Sequence, residues 1–260
     1  MALIGTLTSG ISALKTFSKG LEVIGNNIAN VNTTGYKTSS ASFADTFSNT
    51  LRSGVSPVQI GTGVQIASIA TNFTQGSLSS TGKASDLSVS GNGYFVVQDP
   101  SGANFVTRDG SFNWSATGDL VNSQGYKVLD SAGVAVNVPT VATATSISIG
   151  ADGAVTAFAA NGTSTSTQKV GLLKITDETK LNRQGSNLYD FASTGATVGN
   201  IGTAAASGLG KIQSGALELS NVDLTEQFSN LITAQRSFQA GSRLITVSDT
   251  VLEDIVSLKR

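Results

Sequence analysis

Two stretches at opposite ends of the chain, residues 3–31 and 222–260, constrain the fold more than anything between them. In the first, Leu7, Leu14, Leu21 and Ile28 occupy one repeating position and Gly10, Phe17, Ile24 and Val31 the other, so the spacing alternates between three and four. That rhythm is a coiled-coil seam. The second stretch carries it through Leu224, Phe228, Leu231, Phe238, Ile245, Leu252 and Val256, while Gln235, Ser242 and Asp249 interrupt one heptad column. A seam of ~28 residues at ~1.5 Å rise is roughly 40 Å long. Left uncovered it is an aggregation liability, so it either pairs within one molecule or builds an interface among many copies. In an assembly, the polar column would fix register at some cost in stability.

The first helix is expected to end where Asn26, Asn27, Asn30 and Asn32 accumulate before Thr33, Thr34 and Gly35, because asparagine competes for backbone hydrogen bonds and glycine permits positive φ. Asn26, Asn27 and Asn30 also flank the apolar rhythm, and repeated amides there suit hydrogen bonding between packed subunits. The opposite face carries Ser9, Ser12, Lys15, Thr16, Ser18, Lys19 and Glu22, small or polar enough to let another helix approach. Phe43 and Phe47, one helical turn apart, suggest a short helical or irregular piece. A loop at Gly54, Pro57, Gly61 and Gly63 then leads to the alternating Val64, Ile66 and Ile69.

From Gly76 to about Ile201, strand-sized apolar pieces recur between turn residues, as in an all-β domain. Ile147 and Ile149 turn through Gly150, Asp152 and Gly153 into Val155 and Phe158, a hairpin signature. The small, polar run from Asn161 to Thr167 reads as an exposed loop tip. Ser220 and Asn221 are good helix-start residues, and Asp223 and Glu226 place negative charge in the first turn of the second helix. The expected fold is mixed α and β, mainly β. Residues 1–35 plus 221–260 form a terminal helical coiled-coil domain, 36–75 plus 200–220 are connector segments, and 76–199 form a central β domain.

The 260 residues contain neither cysteine nor histidine, which removes thiolates, disulfides, most zinc sites and the commonest general base. With 13% charged residues and a formal net charge of -1, no basic patch points to nucleic acid and no acidic run to cations. No run of 18 apolar residues predicts a membrane span, and the amino terminus lacks the charged head and apolar run of a cleaved signal. Residues 76–84 superficially resemble a phosphate-binding loop, but five residues separate Gly76 from Gly82, and Ala84 stands where Ser or Thr is required. The close pairs Gly61 with Gly63 and Gly91 with Gly93 lack a third glycine. Asp152 with Gly153 is turn chemistry, not a calcium loop. Asp109 and Gly110 are expected to close a hairpin beside Arg108. No enzymatic activity, catalytic residue, cofactor or metal site is expected.

The ordered motifs resemble a known family. Gly25-Asn-Asn-Ile-Ala-Asn30 precedes Thr34-Gly35-Tyr36-Lys37, then Ser42-Phe43-Ala44-Asp45, Gly61-Thr62-Gly63-Val64 and Thr74-Gln75-Gly76. Gly91-Asn92-Gly93-Tyr94-Phe95, Thr107-Arg108-Asp109-Gly110-Ser111-Phe112, Ser220-Asn221-Val222-Asp223 and Ala234-Gln235-Arg236 follow. Together they resemble the bacterial flagellar axial proteins of the rod and hook group. The resemblance implies a structural subunit that polymerises helically into a tube with many copies of itself and transmits torque. It also implies neighbouring axial or junction proteins, passage through the flagellar export apparatus without a cleaved signal peptide, and terminal helices forming the inner wall. No nucleic acid and no membrane insertion are implied.

The candidate subunit-interface residues are those of the seams: Leu7, Leu14, Phe17, Leu21, Ile24, Asn26, Asn27, Ile28, Asn30 and Val31, with Leu224, Phe228, Leu231, Gln235, Phe238, Ser242, Ile245, Asp249, Leu252 and Val256. Within the family, the segments 41–45 and 254–260 look like a hook protein, whereas the length is similar to a distal rod protein. The reading favours a compact hook-type subunit over the distal rod. A different class, a secreted surface adhesin or binding module, rests on the Thr- and Ser-rich loop near Thr163.

Overall fold

The computed structural model describes residues 2–52, 58–139, 144–159 and 164–257. The chain divides into two compact units, one made of Met1–Val31, Thr38–Asn72 and Val222–Arg260, the other of Asn32–Lys37 and Phe73–Asn221.

The first unit holds helices α1 (Ala2–Ala29) and α2 (Leu224–Ser257) with strands β1 (Ser39–Asp45), β2 (Ser48–Arg52), β3 (Val58–Gly61) and β4 (Val64–Thr71). The helices run antiparallel, since Gly10 lies against Ile245, Leu14 against Gly241, and Asn27 against Gln227. At the start of α2, the Asp223 carboxylate accepts from the Thr225 and Glu226 amides at 2.8 and 3.3 Å, an N-cap.

Strands β1 and β4 pair antiparallel from Ser39↔Thr71 to Asp45↔Val64 with a bulge at Ser42/Phe43, and β2 and β3 prolong the ladder. The short helical or irregular piece expected at Phe43 to Phe47 is therefore a strand pair, because ladder hydrogen bonds override a four-residue aromatic spacing. Gly54 and Pro57 of the expected loop lie outside the described residues.

The small, polar face of α1 receives this hairpin and not another helix. Thr16 donates to the Val64 carbonyl at 3.1 Å, and the Val64 amide donates to Ser12 Oγ at 3.3 Å. A Cβ on Gly20 would meet the Phe43 ring at 3.2 Å, and one on Gly63 would overlap Ser12 Oγ at 2.2 Å. Phe17 and Phe43 meet edge to face, with centroids 6.0 Å apart.

The second unit carries strands β5 (Leu78–Ser80), β6 (Leu87–Ser90), β7 (Tyr94–Gln98), β8 (Asn104–Thr107), β9 (Asn113–Trp114), β10 (Leu120–Val121), β11 (Lys127–Val128), β12 (Ala144–Ile149), β13 (Ala154–Ala159), β14 (Ser164–Lys169), β15 (Gly171–Leu173), β16 (Asn182–Gly185), β17 (Leu188–Asp190), β18 (Ile201–Thr203), β19 (Lys211–Ser214) and β20 (Ala216–Glu218). The main sheet runs β16-β17-β8-β7-β11-β10-β9, and β15 joins it to β18. A meander of β12, β13 and β14 and the pairs β6 with β19 and β5 with β20 complete it. All are antiparallel, and strands β5 and β6, early in the unit, pair with β20 and β19 from its end.

The alternation of β7 explains its double burial. Phe95 and Val97 enter one core with Phe112, Leu87 and Leu172, while Tyr94 and Val96 enter the other with Leu129 and Leu173. The expected hairpin at Gly150 to Gly153 is β12 to β13, with Gly153 at φ +81 and Asp152 accepting from the Ala154 amide at 3.2 Å. Of the expected loop tip at Asn161 to Thr167, Ser164 to Thr167 belong to β14, held by its ladder to β13; residues 161–163, including Thr163 of the adhesin reading, lie outside the described residues. Residues 78–80 of the loop compared with a phosphate cradle are a strand. Asp109 and Gly110 close no hairpin, because β8 pairs with β7 and β17 while β9 pairs with β10.

Candidate assembly surface

The first unit presents apolar side chains that its own helices and strands leave uncovered. On α2, Phe228, Ile232, Leu244, Val247, Val251 and Ile255 are all exposed, as is Ile11 on α1. Phe43, Phe47, Ile60 and Ile69 are exposed on the hairpin, Phe47 at 92%. Exposed large apolar side chains in this number are uncommon on a monomer, which makes them candidates for an association surface.

The residues expected at the interface separate into two groups. Leu7, Leu14, Phe17, Leu21, Ile24, Ile28, Asn30 and Val31 of the first seam, with Leu231 and Ile245 of the second, are half-buried. Leu224, Phe228, Phe238, Leu252 and Val256 are exposed, as are Asn26, Gln235, Ser242 and Asp249. Gln235, Ser242 and Asp249 therefore stand outside the face that α2 turns toward α1.

That face uses the column one residue earlier, Gln227, Ala234, Gly241 and Ser248, three of which are buried. The physical reason is steric. Gly10 and Gly241 admit Ile245 and Leu14 at 3.2 and 3.4 Å from the positions their own Cβ atoms would take, so the helices approach closest along small residues. Leu244, Val247, Val251 and Ile255 face outward. The stripe Leu244, Val247, Val251 and Ile255 escaped the reading from sequence, although its steps of three, four and four were there to be read.

Asn27, expected between subunits, is turned inward at 1% exposure. Its amide donates to the Ser39 carbonyl at 2.7 Å and to Gln227 Oε1 at 3.0 Å, and it accepts from the Ser39 amide at 3.0 Å. Asn30 bonds back to the Asn26 carbonyl and side chain at 2.9 and 2.8 Å, closing the helix end.

In the second unit, the Thr34-Gly35-Tyr36-Lys37 motif is an anchor. Thr34 donates to Asp109 Oδ1 at 2.8 Å, and Asn187 donates to the Thr34 carbonyl at 2.7 Å. Gly35 sits at φ +67, where a Cβ would lie 2.6 Å from the Asp109 amide nitrogen. Lys37 is wholly buried and donates to the Thr74 carbonyl at 2.8 Å and to Glu218 Oε1. Arg108 Nη1 lies 3.5 Å from Glu218 Oε2, and its guanidinium stacks over Tyr94 at 4.8 Å.

Burial lowers the Lys37 pKa, a shift that the hydrogen bond to Glu218 opposes. Burial, followed by the hydrogen bond to Glu178, pushes the Tyr94 hydroxyl up. Arg183 lies over the Tyr36 and Tyr189 rings at 5.2 and 5.9 Å. This cluster contains no nucleophile paired with a base. Among the described residues no group of His, Cys, Asp or Glu is arranged to hold a metal ion, and no helix is long and apolar enough to cross a membrane. Its chemistry is that of a structural clamp.

Comparison with known proteins agrees with that character. Residues 7–37 match the family described as flagella basal body rod protein, residues 88–157 the flagellar hook protein FlgE/F/G D1 domain, and residues 213–258 the flagellar basal body rod FlgEFG protein C-terminal. The flagellar basal-body rod protein FlgG of Bacillus subtilis is 39% identical over 267 residues, covering 99% of this chain and 100% of that protein. The flagellar basal-body rod protein FlgG of Borreliella burgdorferi is 32% identical, covering 100% and 99%. The flagellar hook protein FlgE of the same organism is 42% identical over 129 residues, but this spans 46% of the chain and 29% of that protein.

Proposed function

Because the chain belongs to the flagellar rod and hook protein family, and is therefore a structural, self-associating subunit of the flagellar axis and not an enzyme, we propose that it builds the distal rod of the basal body. The observation that carries this reading is the end-to-end match to rod proteins, against a hook match that covers less than half the chain. The preference for a compact hook-type subunit, which rests on residues 41–45 and 254–260, gives way on the same ground.

In this role the terminal helices of many copies line the inner wall. Neighbouring axial proteins meet the ends of the polymer, and the chain reaches its site through the flagellar export apparatus. The absence of cysteine suits threading of an unfolded chain, since no disulfide cross-links it.

Electron microscopy of basal bodies from a strain lacking the chain provides the test. The expected result is a shortened rod with no hook attached, and an epitope on the restored protein should decorate the straight shaft. A full-length rod lacking only the hook, with the epitope on the curved segment, would overturn the proposal.

A further inference from the structure

The face between α1 and α2 holds a buried amide pair that close packing by itself does not require. Along α2 two columns have a period of seven: Gln227, Ala234, Gly241 and Ser248, which face α1, and Leu231, Phe238, Ile245 and Leu252, of which Leu231 and Ile245 are half-buried and Phe238 and Leu252 exposed. After Gln227, the first column is small throughout and the second is apolar throughout. A slip of one heptad therefore exchanges small for small and apolar for apolar, leaving much of the helix packing unchanged. Asn27 and Gln227 differ in kind. Both are buried, and both hydrogens of the Asn27 amide are used, one toward Gln227 Oε1 at 3.0 Å and one toward the Ser39 carbonyl at 2.7 Å. The Ser39 amide returns a bond to Asn27 Oδ1 at 3.0 Å, so the side chain is held to β1 on both of its polar ends. In a slipped register Asn27 would face Ala234 and lose its partner in a dry site.

We propose that the Asn27–Gln227 amide pair, clamped to β1 through Ser39, sets the axial register of α1 on α2. The column of small residues supplies closeness, and the amide pair supplies the choice among otherwise similar alignments. Buried polar pairs in coiled coils act in this way because an unmatched amide costs more than a matched one contributes. The inference concerns alignment within one chain and stands apart from the assignment to the rod.

Disulfide trapping reads the register directly, since the full-length chain has no cysteine. The pair L14C with G241C reports the native alignment, where Gly241 and Leu14 are adjacent. The pairs L14C with A234C and L14C with S248C report slips of one heptad in either direction. With Asn27 and Gln227 intact, only the native pair should close. In Asn27→Leu, and separately in Gln227→Leu, the ratio of slipped to native product is expected to rise about tenfold or more. The exchanged pair N27Q with Q227N should return it toward the native value. Slipped products that stay undetectable in both leucine variants, or loss of the native product without gain of a slipped one, would overturn the proposal and leave the pair a merely structural contact.

Discussion

Replacing Glu218 with alanine is expected to destabilise the β unit by about 3–5 kcal/mol, because it strands two buried cations without their counter-charge. The Glu218 side chain is wholly inaccessible, and those of Lys37 and Arg108 are 0% and 4% exposed. One carboxylate oxygen accepts from Lys37 and from the Gly76 amide at 3.0 Å, and the other faces Arg108. Removing the carboxylate therefore also leaves a backbone donor unmatched.

The loss should depend on pH in a defined sense. Burial already lowers the Lys37 pKa from its ordinary 10.5, and without Glu218 nothing of comparable strength opposes that shift. Between the lowered native value and 10.5 the unfolded chain binds the proton that the native chain has released, so stability rises with pH. In the variant this window opens at lower pH, so its deficit should shrink on the alkaline side. The single tryptophan, Trp114, lies in β9 against the main core, so its fluorescence during denaturant unfolding follows this unit alone. A double variant adding Lys37→Met should recover part of the loss, since one stranded charge is then gone.

Gly110→Ala is the second large effect, at the upper end of the ~1–3 kcal/mol typical of overpacking. A Cβ there would sit 1.6 Å from the Leu87 carbonyl oxygen, and the Leu87 amide donates to the Gly110 carbonyl at 3.0 Å. Backbone on both sides cannot move aside as a flexible side chain would. Gly199→Ala, whose nearest neighbour beyond the adjoining residues is the Thr197 hydroxyl at 3.7 Å, should change the same unfolding midpoint little. Comparable losses in the two variants would contradict the steric account.

These two sites show what a linear reading reaches. The helices were legible because their apolar residues repeat at a helical period, and the strands from Leu87 to Phe158 because alternation and turn residues bound them. The hairpin of β1 to β4 was not, since Ser, Thr, Ala and Asn dominate it and its stability comes from ladder bonds and from docking on α1. Gly110 read as a turn residue because glycine serves both turns and tight approaches, and only the position of Leu87 separates the two. Lys37 and Glu218 stand 181 residues apart, and no local pattern pairs them. The packed column of α2 was missed for a related reason. A search for large apolar residues selects Phe228 and Leu224, which remain exposed, and passes over Ala234, Gly241 and Ser248, where the helices meet most closely.

The central claim is that the outward apolar face of α2 becomes buried when copies of the chain assemble. Val247 is 60% exposed on that face, and in a cysteine-free chain the variant V247C carries the only thiol. The measurement is its rate of reaction with a water-soluble maleimide, in dispersed protein and in isolated basal bodies. The account predicts rapid labelling of the dispersed chain and at least a tenfold slower reaction in the assembled structure, where neighbouring copies cover the site. Equal rates in the two states would contradict it.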